Sequence, residues 1–338
     1  MSALSAGRSA TALLATLTLG LWQLTSPASA GAQSAWTPAE GEASISLTFQ
    51  NLEFGGHFDG NGERIEGAVP SRAYLGIFQV DYAITDRLAL TARLPYVASK
   101  FTGDHQEPVT TLLRERYEEF RRTNPDAAVT NLDTGEDYAT LHDFTFALRY
   151  NLLDRGLTVT PVISAVIPSH HYHTVGDAAP GQDLLALQTG VNVGRLLDPW
   201  LPNAYVHGRY TYSFVQRLLG IRLDRSSADF EFGYAVAPTV AVRALANWMH
   251  THGGVPFEVA YDDVYLFLAH DRLLASRSWH VGGGATVSLT DSIDIDGALV
   301  TFLAGSDTHY GLGLNVGLTW RFLSGGSVRS PALSTTRK

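Results

Sequence analysis

Near its end the chain reads GLGLNVGLTWRF, Gly311 to Phe322, in which every second residue is large and apolar and those between are small or polar. A strand turns successive side chains to opposite faces, so a period of two predicts an extended segment with one greasy and one wettable side. The alternation recurs in Ala43 to Phe54, Ala73 to Ala83 and Arg87 to Val97. It returns in segments beginning near Phe144, Leu157, Leu185, Val206, Asp229, Val240, Trp279 and Ile293. After Gly31 no apolar run reaches the eighteen or so residues a helix needs to cross a bilayer. About twelve strands, an even number, match a single-chain bacterial membrane barrel, and the expected fold is an all-β, antiparallel transmembrane β-barrel over residues 43–323.

The connections test this independently. Thr85-Asp86, Asp154 to Gly156, Leu197 to Pro202, Ala237-Pro238 and Thr290 to Ser292 are short, whereas Thr102 to Tyr138, Ser169 to Leu184 and Thr251 to Ser276 are long. Short and long links alternate, as they do when the termini and tight turns share the periplasmic side and the longer loops face outward.

One face of these segments carries Leu, Val, Ile and Phe, with Tyr74, Tyr82, Tyr96, Tyr150, Tyr234, Trp248, Trp279 and Trp320 near strand ends. Aromatic rings favour membrane interfaces, so this face is expected to meet lipid. The other face holds ionisable groups of both signs: Asp81, Arg93, Arg149, Arg209, Glu231, Arg243, Asp294, Asp296 and Arg321. In a soluble core unpaired charges would be costly, whereas a hydrated lumen permits pairing, so these nine are the candidate pore lining. Mutual pairing that stiffens the wall is the competing role. A soluble β-sandwich or lipocalin-like barrel would turn the apolar face inward, and it explains neither the sided loops nor the aromatic strand ends.

Residues 1–30 read as a signal peptide: Arg8, an apolar stretch from Ala10 to Leu21, and Pro27 before the small-residue run Ala28-Ser29-Ala30. A single membrane helix would need a longer apolar run. Without these residues the charges are 23 basic against 33 acidic, counted from the sequence, and nucleic acid is not an expected partner. The chain has no cysteine, which excludes disulfides and thiolate metal sites. Residues 31–42 are expected to form a periplasmic N-terminal segment and 324–338 a polar tail.

The terminal Trp320-Arg321-Phe322 resembles the carboxyl-terminal signal read by the outer-membrane assembly machinery. Trp36-Thr37-Pro38 to Gly41, Tyr82 to Leu90 (YAITDRLAL) and Arg93-Leu94-Pro95-Tyr96 are similar to the transporter-like outer-membrane proteins of the meta-pathway of phenol degradation. The resemblance covers most of the mature chain in layout and only these short runs in wording. It implies passive entry of small, hydrophobic or aromatic, molecules, with no cofactor. Two features depart from it: the tail after the terminal aromatic, and the long Thr102 to Tyr138 link with its charged run Thr111 to Arg122, which reads as a short helix.

The residues offer three other readings. His170, His171 and His173 in one loop, with His250 and His252 at another, have the residue type for zinc or copper, but no cysteine or clear acidic partner completes a set. An outer-membrane enzyme needs a nucleophile, a base and an orienting group; His142-Asp143 and His207-Gly208-Arg209 are the nearest approaches, and no Gly-x-Ser-x-Gly elbow is present. A non-conducting barrel that docks a partner draws on the apolar Val255 to Leu274 loop.

Overall fold

The computed structural model describes residues 35–103, 135–176, 178–256 and 269–323, with single positions 119, 122, 123, 132 and 266. Residues 1–30, read above as a signal peptide, residues 324–338 and most of the Thr111 to Arg122 run lie outside the described residues. The strands are β1 (Glu42–Phe58), β2 (Arg64–Thr85), β3 (Leu88–Phe101), β4 (Asp137–Leu141), β5 (Phe144–Tyr150), β6 (Leu153–Arg155) and β7 (Leu157–Ile167). They continue as β8 (Ala186–Leu196), β9 (Ala204–Val215), β10 (Leu223–Ala237), β11 (Val240–Gly253), β12 (Arg277–Ser288), β13 (Ile293–Ser306) and β14 (Thr308–Leu323), with a one-turn helix α1 (His270–Leu273) before β12. No helix among the described residues is long and apolar enough to cross a membrane.

All neighbouring strands are antiparallel, and β1 pairs with β2 on one edge and β14 on the other, so the sheet closes on itself. Closure matters because a backbone in hydrocarbon must satisfy its N–H and C=O groups internally, and an open edge does not. One wall position is broken. β4 pairs with the upper part of β3, β5 with its lower part, and β6 makes a small hairpin with β7, the interruption falling at His142-Asp143. Counting β4, β5 and β6 as one stave, the barrel has twelve, as the alternation predicts.

The faces are the reverse of a soluble core. Leu47, Phe49, Leu90, Phe146, Ile163, Leu312 and Trp320 are exposed, while Gln50, Gln79, Asp81, Arg149, Asn192 and Arg243 are buried. Trp320, half exposed, points away from the barrel. The apolar set is not wholly outside, however. Leu52, Phe54, Leu75, Ile77, Val97, Val300 and Phe302 turn inward and pack as one cluster on the wall formed by β1, β2, β3 and β13. Along β1 the apolar phase changes between Phe49, which faces out, and Leu52, which faces in.

Candidate functional site: the barrel interior

All nine sequence-selected ionisable residues lie on strands with their side chains on the inward face, and they fall into three groups. In the first, Arg149 Nη2 of β5 donates to Asp81 Oδ1 of β2 at 3.2 Å, both side chains being almost fully buried. Thr91 Oγ1 and Gln79 Nε2 donate to the same carboxylate at 2.5 and 2.8 Å. Arg93 stands opposite Gln79 in the β2–β3 register and within electrostatic reach of Arg209 on β9. Arg209 pairs in register with Asp229, which the sequence reading left out and which accepts from Asn247 Nδ2 at 2.6 Å.

In the second group Arg243 of β11 lies 3.7 Å from Glu231 and 3.8 Å from Asp296, bridging β10 and β13. Tyr205 OH donates to Glu231 at 2.5 Å. In the third, Arg321 pairs with Asp294, which also accepts from Ser288 Oγ at 2.7 Å. Mutual pairing is the arrangement that makes buried charge tolerable, since an ion stripped of water and partner costs several kcal/mol, roughly. Inward glycines make the space for these groups. A Cβ at Gly317 would sit 2.3 Å from Asp296 Oδ1, and one at Gly233 would sit 2.2 Å from the Tyr205 ring.

Residues 35–41 do not stay outside the barrel. Gly41 N donates to Ala83 O, and Glu40 N donates to Asp86 Oδ1, which ties the segment to the β2–β3 turn. From there it crosses the mouth. Thr37 Oγ1 accepts from Asn151 Nδ2 at 3.4 Å, and Ala35 O accepts from Thr160 Oγ1 of β7 at 2.5 Å. Trp36 stands edge-on to Tyr205 of β9, ring centres 5.9 Å apart, and 6.5 Å from His207. Gly194 of β8 lies flush beneath it, where a Cβ would come within 2.8 Å of both the Trp36 ring and the Ala35 methyl.

At the opposite mouth residues 168–176 and 178–185 pack against several staves. Ala178 and Ala179 are buried with Phe101 and Leu132, and Ala178 O accepts from Ser99 Oγ at 2.5 Å. Tyr172 OH donates to Asp143 Oδ1 at 2.7 Å and accepts from Asp183 N at 2.9 Å. Burial, then the neighbouring Asp143 carboxylate, pushes the Tyr172 hydroxyl above the usual tyrosine range, so it stays a donor. Arg272 of α1 donates to Asp183 O, and Arg225 of β10 to Gln182. Leu184 packs with Leu223 and Leu273, so the described ends of the apolar Val255 to Leu274 loop are turned into this closure.

The histidines are spread over separate settings. His170 bonds to Thr140 Oγ1, His171 lies 3.0 Å from Asp183, His173 sits against Tyr138, and His250 and His252 touch each other. Among the described residues no three His, Asp or Glu side chains form a group able to hold a metal. His142 and Asp143 mark the break in the wall, and His207 lies beside Trp36. The sequence reading missed Trp36, Tyr205, Thr160 and the Tyr172 latch. The one local signal was glycine at inward strand positions such as 194 and 233, where a neighbour's ring needs room.

No protein-family model and no curated protein sequence matches the chain. Among solved structures it is similar to the COG4313 outer membrane channel from Pseudomonas putida F1, with 14% identity, 86% of this chain and 98% of that one covered, and a TM-score of 0.62. This is an outer-membrane-type β-barrel. The barrel also resembles the translocator domain of autotransporter NalP from Neisseria meningitidis, with 14% identity, coverage of 84% and 89%, and a TM-score of 0.45. The toluene transporter TodX of P. putida matches with 9% identity, coverage of 85% and 90%, and a TM-score of 0.42. These two superpose too loosely to bear on function.

Proposed function

We propose that this chain is an outer-membrane channel admitting small molecules passively through the barrel lumen. The carrying observation is the inverted wall: a closed antiparallel ring, apolar outside, with ion pairs and hydrogen-bonding side chains within. Such an interior is what a water-accessible path through a membrane requires. Asp81, Arg93, Arg149, Arg209, Glu231, Arg243, Asp294, Asp296 and Arg321 line that path. In this reading residues 1–30 export the chain, Trp320-Arg321-Phe322 engages the assembly machinery, and the N-terminal segment lies on the periplasmic side. The short runs shared with the phenol meta-pathway proteins favour hydrophobic or aromatic solutes, and the inward apolar cluster gives them a surface.

The double closure favours a second reading, a non-conducting barrel whose loops dock a partner. Reconstitution into liposomes separates the two. Influx of small aromatic, sugar or ionic solutes above that of protein-free vesicles supports the channel, and no influx of any of them supports the docking barrel.

A further inference from the structure

On the outward face, at the end that carries the long β11–β12 connection, aromatic rings form a continuous ladder. Tyr212 of β9 stacks on His252 of β11 with ring centres 5.5 Å apart, His252 meets His250 at 4.7 Å, and His250 stacks on Trp248 at 6.2 Å. Trp279 of β12 follows, 6.2 Å from Trp248. The ladder is held by the wall behind it: Ser226 Oγ of β10 bonds to His252 Nε2 at 2.7 Å and to Tyr210 OH at 2.9 Å. Two exposed guanidiniums bracket it. At one end Arg222 donates from Nε to Asp224 Oδ2 at 2.5 Å and from Nη2 to Tyr212 OH at 2.6 Å. At the other, Arg277 stands opposite His250 in the β11–β12 register with its side chain in the open.

The charge here differs from that on the rest of the outward rim. Arg72 lies 2.7 Å from Glu53, and Lys100 lies 3.9 Å from Asp137, one acid for each base. Around the ladder one carboxylate, Asp224, is paired with Arg222, and Arg277 forms no ion pair among the described residues. The patch is therefore positive in a chain whose 33 acidic residues outnumber its 24 basic ones. Toward the middle of the wall it runs into the exposed Tyr210 and Phe230. Amphipathic rings on a membrane wall sit at headgroup level, so the two arginines stand where lipid headgroups meet the protein. A guanidinium there binds phosphate well, because its planar fork offers parallel N–H donors to two oxygens of one anion. A small soluble anion would make no use of the apolar surface below.

We infer that the outward ends of β9 to β12 seat a lipid with a phosphorylated headgroup. Arg277 and Arg222 take phosphate oxygens, the ring ladder lies against the body of the headgroup, and the acyl chains run down past Tyr210 and Phe230. The inference goes beyond the channel reading: it rests on the barrel standing in the outer membrane with its long connections outward, and it holds whether or not the lumen conducts.

Three probes test it on the detergent-purified full chain, with bound lipid counted by native mass spectrometry: bis-phosphorylated lipid A, a neutral glycolipid with acyl chains of the same length, and inorganic phosphate. Lipid A is expected to bind about tenfold more tightly than the neutral glycolipid, and millimolar inorganic phosphate should not displace it. Arg277→Gln should weaken lipid A binding about fivefold, whereas Arg72→Gln, at the paired cation on β2, should leave it unchanged. Both substitutions are at exposed positions, so the thermal midpoint in detergent should stay level and show that neither variant has misfolded. Equal binding of the two lipids, an equal loss in Arg72→Gln, or displacement by inorganic phosphate would overturn the seat, the last by showing a site for free anions. Liposome influx of an inert sugar is measured in parallel. A barrel that selects lipid A but passes no sugar keeps the seat and loses the channel, and one that passes sugar without selecting the lipid does the reverse.

Discussion

The two mouths of the barrel are crossed by segments held in different ways. At the mouth that carries the short turns residues 35–41 lie across as a single strap, fixed by a few hydrogen bonds and one large ring, Trp36, seated on Gly194. At the opposite mouth residues 168–176 and 178–185 pack in two small apolar cores, around Phe101 and around Leu184, with a polar latch of Tyr172, Asp143, Asp183 and Arg272. A strap with one large anchor and a few single hydrogen bonds loosens when that anchor is displaced. A plug with several opens only when most are lost together, because neighbouring contacts in one network do not act independently. The strap of residues 35–41 is therefore the lighter of the two attachments and the plug the heavier one.

Four changes would break or sharpen that contrast. Replacing residues 171–182 with a short Gly-Ser link removes most of the plug and should raise solute influx into liposomes most, by more than about tenfold, since many contacts are lost at once. An unchanged influx would show that the outer loop is not the barrier. Gly194→Leu puts a side chain where Trp36 lies and should expel the strap, a change worth up to about 3 kcal/mol by analogy with losing a buried aromatic side chain. Protease cleavage between residues 31 and 41 of the folded barrel reads this directly, and continued protection would refute the strap's seat on β8.

Tyr172→Phe leaves the Asp143 carboxyl and the Asp183 N–H without their shared partner, a loss of about 1–3 kcal/mol confined to the plug. Amide hydrogen exchange should speed up over residues 178–184 and stay level over 35–41; equal acceleration at both ends would mean that the two closures are coupled. Thr160→Val, the mildest change, removes the bond to Ala35 O at about 1 kcal/mol and should speed exchange at the strap alone.

Much of the wall was legible because strand alternation is a local property. The parity that turns Leu312, Leu314 and Trp320 outward also turns Asn315 and Thr319 inward, and it was enough to select Asp81, Arg149 and Arg243 as interior groups. The partners of those groups were not legible. Asp81 and Arg149 are 68 residues apart and meet only because β2, β3 and β5 lie side by side in a fixed register. The apolar Leu52 and Phe54 were harder still. Their inward turn depends on a change of phase along β1 that hydropathy alone leaves unassigned to either side.

Sequence by itself determined that the chain makes about a dozen amphipathic strands with greasy and charged faces, because each face is set by residues two apart. Tertiary structure alone decided what fills the interior. Thr160 reaches Ala35 across 125 residues, Trp36 finds the bare backbone of Gly194, and Tyr172 finds the break at Asp143, all through the side-by-side pairing of staves. The physical reason is that pairing in register brings together staves that no local period relates, so their contacts exist only once the curved sheet has formed.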